Sequence, residues 1–267
     1  MKTYGNGIIL STERLQEGIF RTVLRVPKIA ECAEAGQFVC YYCKDNSRML
    51  PRPISICDCD RDRGTICLVY RIAGFGTKEL SERPVGDVVT ILGPLGNGYQ
   101  SPSEAFSDRR ERMVIGGGIG IPPMLLLAKK WNAEGCHVTA VLGYRTKDTF
   151  LLTELKAVAD CYVATDDGSL GTHGTVLDCI RENALTDGTK DLLIGACGPM
   201  PMLRGLASFA SEQDIPLLVS LEERMACGIG ACLGCITKSK DIDGHSHVAN
   251  KRICTEGPVF LSTDLNW

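Results

Sequence analysis

Four cysteines near the C-terminal end constrain the fold more than any other feature of the sequence. Cys227, Cys232 and Cys235 follow the spacing C-x4-C-x2-C, and 18 residues separate Cys235 from a fourth cysteine, Cys254. This spacing is the plant-type signature of a [2Fe-2S] cluster, which is held by four thiolates. Three thiolates so close in sequence require a loop that wraps around one small anionic centre. We therefore predict that these four cysteines hold a [2Fe-2S] cluster.

Glycines stand between the cysteines of this loop. Gly228, Gly230 and Gly234 are expected to adopt positive φ angles and to bring the backbone close to the centre without a clash of Cβ atoms. Backbone N–H groups of such a loop can point at the sulfur atoms and stabilise their negative charge.

Two other metal centres are compatible with these residue types. A structural zinc site with four cysteines usually takes two separated C-x2-C pairs, and Cys254 has no such companion. His245 and His247 raise the alternative of a Rieske centre with two histidine ligands. Both histidines lie in a polar turn, where surface residues are expected. The cysteine spacing favours the [2Fe-2S] cluster over both alternatives.

The length and the net charge of the chain limit the kinds of protein that it can be. A chain of 267 residues has room for two modest domains, each with its own core. The net charge of −3 gives no reason to expect nucleic acid or an anionic membrane as a partner. No apolar run approaches the length of about 18 residues that spans a membrane, and the first residues lack the apolar segment of a secretory signal. We expect a soluble cytoplasmic protein.

The chain contains 14 cysteines in total. Most lie in apolar runs, so we interpret them as small buried residues rather than as the disulfide framework of a small secreted protein. Cys40 with Cys43, and Cys57 with Cys59, would form a second metal site only if their strands were neighbours. Residues three apart on a strand point to opposite faces, which argues against such a site.

Residues 1–101 have the pattern of short strands divided by turn residues. This pattern predicts a small antiparallel β-barrel. One short helix is predicted inside it, from Thr77 to Glu82, with Thr77 as the N-cap. The polar residues 101–112 are predicted to link this domain to the next.

From residue 112 to residue 221, short apolar strands alternate strictly with helices. This alternation predicts an α/β domain with a doubly wound parallel sheet. Residues 222–267, with the four cysteines, follow its last strand as a small cluster-binding segment. The predicted fold class is thus an N-terminal antiparallel β-barrel, a doubly wound α/β domain and a C-terminal [2Fe-2S] segment.

A glycine-rich connection follows the first strand of the predicted α/β domain. Ligands of open α/β sheets bind at the carboxyl ends of the strands. Gly116, Gly117, Gly118 and Gly120 would let the backbone approach a pyrophosphate at the start of the next helix. The pattern is not G-x-G-x-x-G, and a tight turn without a ligand is the alternative.

Two further residues are predicted at the same edge of the sheet. Asp166 follows the third strand and could hydrogen-bond a ribose. Its charge would repel a 2′-phosphate and so favours NAD over NADP, although an ordinary Asp-Gly turn explains the motif equally well. Cys197, followed by Gly-Pro-Met, ends the fourth strand, where a small thiol can line a planar ring without crowding it.

Three segments of the barrel half carry candidate binding residues. Arg52 stands between two prolines as a rigid cationic fork suited to phosphate, and Ser55 could hydrogen-bond a polar ring atom. The segment Val69–Arg71 supplies an aromatic ring and another cation. Gly76 and Thr77 lie where the short helix begins, a position typical of phosphate binding.

Together these segments resemble the ferredoxin–NADP reductase superfamily. The shared motifs are Arg-Pro-x-Ser, then Gly-x-Gly-Thr, then Gly-Gly-Gly-x-Gly-x-x-Pro and Cys-Gly-Pro-x-Met. The C-terminal segment, from Glu223 to Cys235 and from Cys254 to Phe260, resembles more narrowly the electron-transfer subunits of class 1B dihydroorotate dehydrogenases. The resemblance covers nearly the whole chain, and the cysteine segment is its most specific part.

The resemblance implies FAD on the barrel, NAD(H) on the α/β domain and [2Fe-2S] on the four cysteines. Cys197 would lie near the nicotinamide, and no side-chain acid or base is required because the hydride passes between cofactors. The residues assigned to FAD are Arg52, Pro53, Ile54, Ser55, Val69, Tyr70, Arg71, Gly76 and Thr77. The residues assigned to NAD are Gly116, Gly117, Gly118, Gly120, Asp166 and Cys197.

The resemblance also implies a partner. It is an FMN-containing subunit that oxidises dihydroorotate to orotate in pyrimidine biosynthesis, usually in a heterotetramer with two copies of each chain. Electrons would run from the FMN through the cluster and FAD to NAD⁺. Two alternatives stay open: the small subunit of an NADH-dependent ferredoxin:NADP oxidoreductase or sulfide dehydrogenase, and a zinc-stapled binding protein without redox activity.

Overall fold

The N-terminal half forms a closed barrel. The computed structural model describes residues 2–45, 47–188, 191–242 and 247–267. The strands of the barrel are β1 (Thr3–Gln16), β2 (Ile19–Arg25), β3 (Phe38–Tyr42), β4 (Arg52–Asp60), β5 (Thr65–Arg71) and β6 (Val88–Leu95). They pair in the order β1-β2-β5-β4-β3-β6, all antiparallel, and closure leaves no free sheet edge. The predicted antiparallel barrel is confirmed.

Two short helices belong to this half, α1 (Pro27–Ala30) and α2 (Phe75–Glu82). Helix α2 begins two residues before the predicted start, so the prediction of Thr77 as its N-cap is wrong. Thr77 lies in the first turn instead. Its Oγ1 accepts hydrogen bonds from the backbone N–H groups of Ala73 (2.9 Å) and Gly74 (3.3 Å), which ties the approaching chain to the helix.

The C-terminal half is an α/β domain. Its elements up to the last parallel strand are α3 (Gln100–Glu104), β7 (Glu111–Gly117), α4 (Ile121–Ala133), β8 (His137–Tyr144), α5 (Leu152–Lys156), β9 (Asp160–Thr165), β10 (Thr172–His173), α6 (Val176–Glu182), β11 (Leu192–Cys197), α7 (Met200–Glu212) and β12 (Leu217–Ser220). These strands are parallel in the order β10-β9-β8-β7-β11-β12. The chain reverses its direction of winding between β7 and β11, which is where open sheets of this kind bind ligands.

The cysteine-rich segment does more than follow the sheet. Its strands are β13 (Ile236–Lys238), β14 (Asn250–Arg252) and β15 (Val259–Leu261). Strands β13 and β14 form a small hairpin, and β15 returns to pair with β12 in antiparallel orientation. The segment therefore supplies the edge strand of the main sheet, which the sequence pattern did not predict.

The two halves pack directly against each other. One hydrophobic cluster contains Ile56 and Leu68 of the barrel together with Leu127 and Trp131 of α4. In the predicted linker region, α3 and a series of turns lead into β7, and the buried Tyr99 donates a hydrogen bond from its hydroxyl to the carbonyl of Ala196 (2.9 Å). No helix in the described parts of the chain is both long enough and apolar enough to cross a bilayer.

Candidate functional site

The four predicted cluster cysteines come together as two pairs. The thiol of Cys227 lies beside that of Cys232, and the thiol of Cys235 lies beside that of Cys254. The charge of Cys227 also acts on Cys254, so the two pairs adjoin. Across residues 2–45, 47–188, 191–242 and 247–267, no three His, Cys, Asp or Glu side chains converge on a point that would hold one metal ion. Two adjoining pairs of thiols are the arrangement that a centre with two metal atoms would use, each atom taking two ligands.

Backbone N–H groups of the loop point at the sulfur atoms, as predicted. The amide of Ile229 donates to Cys227 Sγ (3.5 Å), and the amide of Gly234 donates to Cys232 Sγ (3.4 Å). Burial alone would raise the pKa of Cys227, but the backbone N–H groups of Ile229, Cys232 and Ala231, together with the Cys232 thiol, outweigh it and lower the pKa to about 6. The loop thus favours the thiolate form that metal binding requires.

The loop takes its shape from left-handed residues. Gly228 and Gly230 have φ angles of +68° and +89°. The prediction for Gly234 is wrong, because the left-handed residue there is its neighbour Leu233, with a φ of +55°. A Cβ placed on Gly228 would lie 2.7 Å from Cys40 Sγ, so the loop rests on the barrel at this point.

Cys40 is therefore part of the surroundings of the cluster loop. It lies in β3 and is fully buried. Burial, and then the neighbouring thiols of Cys254, Cys227 and Cys235, raise its pKa to about 12, which keeps it a neutral thiol. Cys57 and Cys59 belong to no group of three or more potential metal ligands among the described residues, and the thiol of Cys57 lies beside that of Cys67 on the adjacent strand β5.

The Rieske alternative gains no support. His247 is exposed in the connection between β13 and β14. His245 lies outside the described residues.

Two of the segments predicted to bind FAD meet on the barrel. Arg52 begins β4, opposite Tyr41 of β3. Its guanidinium passes over Gly76 in the first turn of α2, and a Cβ placed there would lie 2.8 Å from Arg52 Cζ. The glycine at position 76 lets the arginine lie in this position, directed at the start of the helix, where an anion is favoured.

The third segment is placed differently from what the sequence suggested. The ring of Tyr70 stacks on Phe20, with centroids 6.5 Å apart, and its hydroxyl is hydrogen-bonded to Thr22 (2.9 Å) inside the barrel. Burial raises the pKa of Tyr70 to about 12. The Tyr70 side chain therefore packs in the core, whereas the neighbouring Arg71 is exposed.

Apolar side chains beside Arg52 are unusually exposed. Met49 is 82% exposed, Leu50 58% and Phe75 48%. The guanidinium of Arg48 lies over the Phe75 ring, 4.9 Å from its centroid. Such a patch is suited to an aromatic ligand. These residues were not predicted as site residues, although Met49 and Leu50 are two apolar residues between a polar turn and Pro51.

The four glycines at the end of β7 and in the turn that follows it have two different roles. A Cβ placed on Gly116 would lie 2.8 Å from Ile121 Cα, and one on Gly117 would lie 2.5 Å from Met202 Sδ. Gly120 is likewise packed, against the carbonyl of Cys197. Only at Gly118, whose φ is +52°, is a placed Cβ free of any described atom within 4 Å. Three glycines serve packing of the chain, and Gly118 is the one that faces open space.

Cys197 lies beside this turn, at the end of β11. It is in register with Gly116 on one side and Ser220 on the other. Burial raises the pKa of Cys197 to about 12, although a hydrogen bond with Ser220 opposes the shift. A neutral thiol is thus held at the reversal point of the sheet. Ser220 was not predicted as a site residue, since only the pairing of β11 with β12 brings it there.

Asp166 is exposed at the same edge of the sheet. Its backbone N–H donates to the carbonyl of Tyr144 (3.1 Å), which joins the loops after β8 and β9. The next carboxylate, Asp167, accepts hydrogen bonds from the backbone and hydroxyl of Ser169 and so stabilises its own turn. Of the two acidic residues, Asp166 is the one left to meet a ligand.

Comparison with known proteins agrees with these features. Residues 222–266 match the family described as the iron-sulfur cluster binding domain of dihydroorotate dehydrogenase B. The electron transfer subunit of dihydroorotate dehydrogenase B (NAD(+)) from Bacillus mycoides (strain KBAB4) is 39% identical over 258 residues, which cover 96% of this chain and 95% of the relative. The subunit from Bacillus cereus (strain 03BB102) is similar to the same extent. The chain belongs to the family of dihydroorotate dehydrogenase B electron-transfer subunits.

Solved structures extend the likeness to the fold. A structure of an NADH-dependent reduced ferredoxin-NADP oxidoreductase superposes with a TM-score of 0.83 at 27% identity, covering 98% of this chain and 90% of the other. The ferredoxin reductase of carbazole 1,9a-dioxygenase shares the fold alone, with a TM-score of 0.67 at 20% identity over 80% of this chain and 67% of the other. An electron-transfer subunit of this family serves a separate catalytic subunit.

Proposed function

We propose that this chain carries electrons between the FMN of a dihydroorotate dehydrogenase catalytic subunit and NAD⁺, by way of its own [2Fe-2S] cluster and FAD. The observation that carries the proposal is the cysteine loop, in which two thiol pairs lie against the barrel and the segment returns to the main sheet. When bound, NAD(H) exchanges a hydride, FAD exchanges either a hydride or single electrons, and the cluster exchanges single electrons.

The residues of the chain bind and orient these groups. Cys227, Cys232, Cys235 and Cys254 hold the cluster. Arg52 grips the FAD phosphates at the start of α2. The FAD site is shaped in addition by Pro53, Ile54, Ser55, Val69, Arg71, Gly76 and Thr77, and Tyr70 contributes to it through its backbone, since its ring packs in the core. We assign no general acid or base to the reaction.

The nucleotide site lies at the reversal point between β7 and β11. Gly118 offers its open backbone to the pyrophosphate of NAD, and Asp166 faces the ribose. The neutral thiol of Cys197 lies beside the nicotinamide, where it fills space without adding charge.

The partner docks over the cysteine loop, because single-electron transfer requires its FMN to come close to the cluster. Exposed apolar side chains around the loop support this position: Ile229 is 50% exposed and Leu233 58%, and Cys232 is itself exposed. On the barrel side, Tyr4 is 68% exposed and packs edge-on against Tyr42, with centroids 5.7 Å apart. We propose two copies of each chain in the complex.

A second candidate is the small subunit of an NADH-dependent ferredoxin:NADP oxidoreductase or sulfide dehydrogenase. The structural likeness at 27% identity favours it, but the 39% identity to the dihydroorotate dehydrogenase subunits is higher over almost the same span. Purification of the chain with its bound partner, followed by mass spectrometry, separates the two. An FMN-containing dihydroorotate dehydrogenase supports the proposal, whereas a larger iron–sulfur flavoprotein supports the second candidate.

The Cys232→Ser variant tests the electron path itself. We expect it to lose the cluster and electron delivery to or from the partner, while NADH still reduces the bound flavin. Cys161→Ser is the matched control, since Cys161 lies in β9, in the α/β domain outside the cysteine segment. Full electron delivery in Cys232→Ser would contradict the proposed path.

A further inference from the structure

The side chain of Thr255 directly follows the predicted ligand Cys254. Its Oγ1 atom is buried, and within the described part of the chain it has no hydrogen-bond partner. A buried hydroxyl without a partner is unfavourable, and native structures nearly always satisfy such groups. The hydroxyl therefore calls for an acceptor that the protein atoms do not supply.

The position of this hydroxyl points to the cluster. A Cβ placed on Gly230 would lie 2.8 Å from Thr255 Cγ2 and 3.3 Å from Oγ1, so the side chain packs directly against the cysteine loop. The backbone N–H of the same Gly230 also acts on Cys254, whose pKa it lowers, so it lies near that thiol. Thr255 is thus on the side of the loop where the thiols gather.

The backbone of Thr255 is already engaged. Its N–H donates to the carbonyl of Arg252 (3.2 Å), and its carbonyl accepts from the side chain of Asn97 (3.2 Å). Asn97 follows the last barrel strand and also donates to the carbonyl of Glu256 (3.1 Å). These contacts hold the residue in place and leave the hydroxyl as its unused polar group.

We propose that the Thr255 hydroxyl donates a hydrogen bond to a sulfur of the bound cluster and raises its reduction potential. Sulfides and thiolates of an iron–sulfur cluster accept hydrogen bonds, and such bonds set its potential. Reduction adds one negative charge, so a donor stabilises the reduced form more than the oxidised form. The inference rests on the proposed function, in particular on Cys254 as a ligand.

The test compares Thr255→Val with Thr255→Ser in the full chain purified with its partner. Valine keeps the shape and removes the donor, whereas serine keeps the donor. The midpoint potential of the cluster is measured by redox titration with electron paramagnetic resonance detection. We expect Thr255→Val to lower the equilibrium constant for reduction of the cluster about tenfold, which for a one-electron couple lowers the midpoint potential by about 59 mV. The midpoint potential of Thr255→Ser should stay near that of the unmodified chain.

Iron and acid-labile sulfide contents are measured on the same samples. If Thr255→Val assembles too little cluster for titration, Thr255→Ala takes its place and must lower the potential in the same direction. A full cluster with an unchanged potential in the variant without the hydroxyl would overturn the inference, as would an equal fall in Thr255→Ser. Failure of the cluster assignment on which the inference rests is distinguishable, because the unmodified chain would then contain no labile sulfide.

Discussion

The contact between Gly228 and Cys40 joins the cysteine loop to the barrel, and a substitution there tests it. In Gly228→Ala, the new methyl group would lie 2.7 Å from Cys40 Sγ and 3.3 Å from Leu95 Cδ1. Two costs follow. The φ of +68° costs an L-residue about 1–2 kcal/mol, and the overlap with buried neighbours costs about 1–3 kcal/mol more.

The two costs are separable. Cys40→Ala removes the sulfur atom that overlaps the new methyl group but leaves the φ angle unchanged. We therefore expect the double variant to recover about 1–3 kcal/mol of the loss in Gly228→Ala and to keep the remainder. Each 1.4 kcal/mol corresponds to a factor of ten in an equilibrium constant.

The assay is retention of the cluster. Cluster loss is followed by visible absorbance in an iron chelator at several concentrations, for the unmodified chain, both single variants and the double variant. We expect the apparent iron affinity to fall at least tenfold in Gly228→Ala and to recover partly in the double variant. If Cys40→Ala gives no recovery, the loop does not rest on the barrel at this residue, and the reasoning is refuted.

Two more predictions concern sites remote from the cysteine loop. Arg52→Ala should weaken FAD binding at least tenfold, since a charge-assisted hydrogen bond contributes about 1.5–3 kcal/mol. Flavin retention on gel filtration measures the effect in the unmodified chain, in Arg52→Ala and in the control Arg52→Lys. Equal retention in all three proteins would contradict the assignment of Arg52 to the FAD site. His137 bonds Glu111 (2.7 Å) and Asp160 (2.9 Å), and these contacts raise its pKa. Because the pKa of His137 is raised in the folded protein, its contacts contribute fully to the free energy of unfolding below the ordinary histidine pKa of about 6.5. This contribution is lost as the pH rises through the higher pKa of the folded protein. Because the His137 side chain is 56% exposed, we expect these contacts to contribute well under 1 kcal/mol to the free energy of unfolding. The free energy of unfolding, measured in urea, should depend less on pH above about 6.5 in His137→Gln than in the unmodified chain. The same pH dependence in both proteins would contradict the predicted role of His137.

Much of the architecture could be predicted from local patterns. Alternating short strands predict the barrel, and the regular succession of strands and helices from residue 112 predicts the parallel sheet. The helix Val176–Glu182 is one of the helices that this succession predicts, and its start is marked by a complete capping box of Thr175 and Asp178. The cysteine loop was found from its spacing alone.

What the sequence did not reveal depends on contacts between distant residues. Strand β1 carries glycine and charged residues in an irregular order, and it forms because β2 and β6 pair with it. Strand β15 is three residues long, too short to stand out, and it is fixed by pairing with β12. The place of Cys40 beside the cysteine loop and that of Ser220 beside Cys197 were not predicted for the same reason: each depends on a partner far away in sequence.

The placement of Tyr70 shows a limit of motif reasoning. A motif identifies the strand but not the face to which each side chain points. Pairing of β5 with β2 directs the Tyr70 ring toward Thr22 and into the core. Residues of the FAD site are therefore better inferred from the Arg52–Gly76 contact, where two separate segments meet.

The central claim is that the four cysteines hold a two-iron cluster in a chain that also binds a flavin. Quantification of iron, acid-labile sulfide and flavin in anaerobically purified protein tests it most directly. The account predicts two irons and two sulfides for each flavin of this chain, with the iron and sulfide lost in Cys232→Ser and the flavin kept. One zinc per chain without labile sulfide, or protein without flavin, would contradict it.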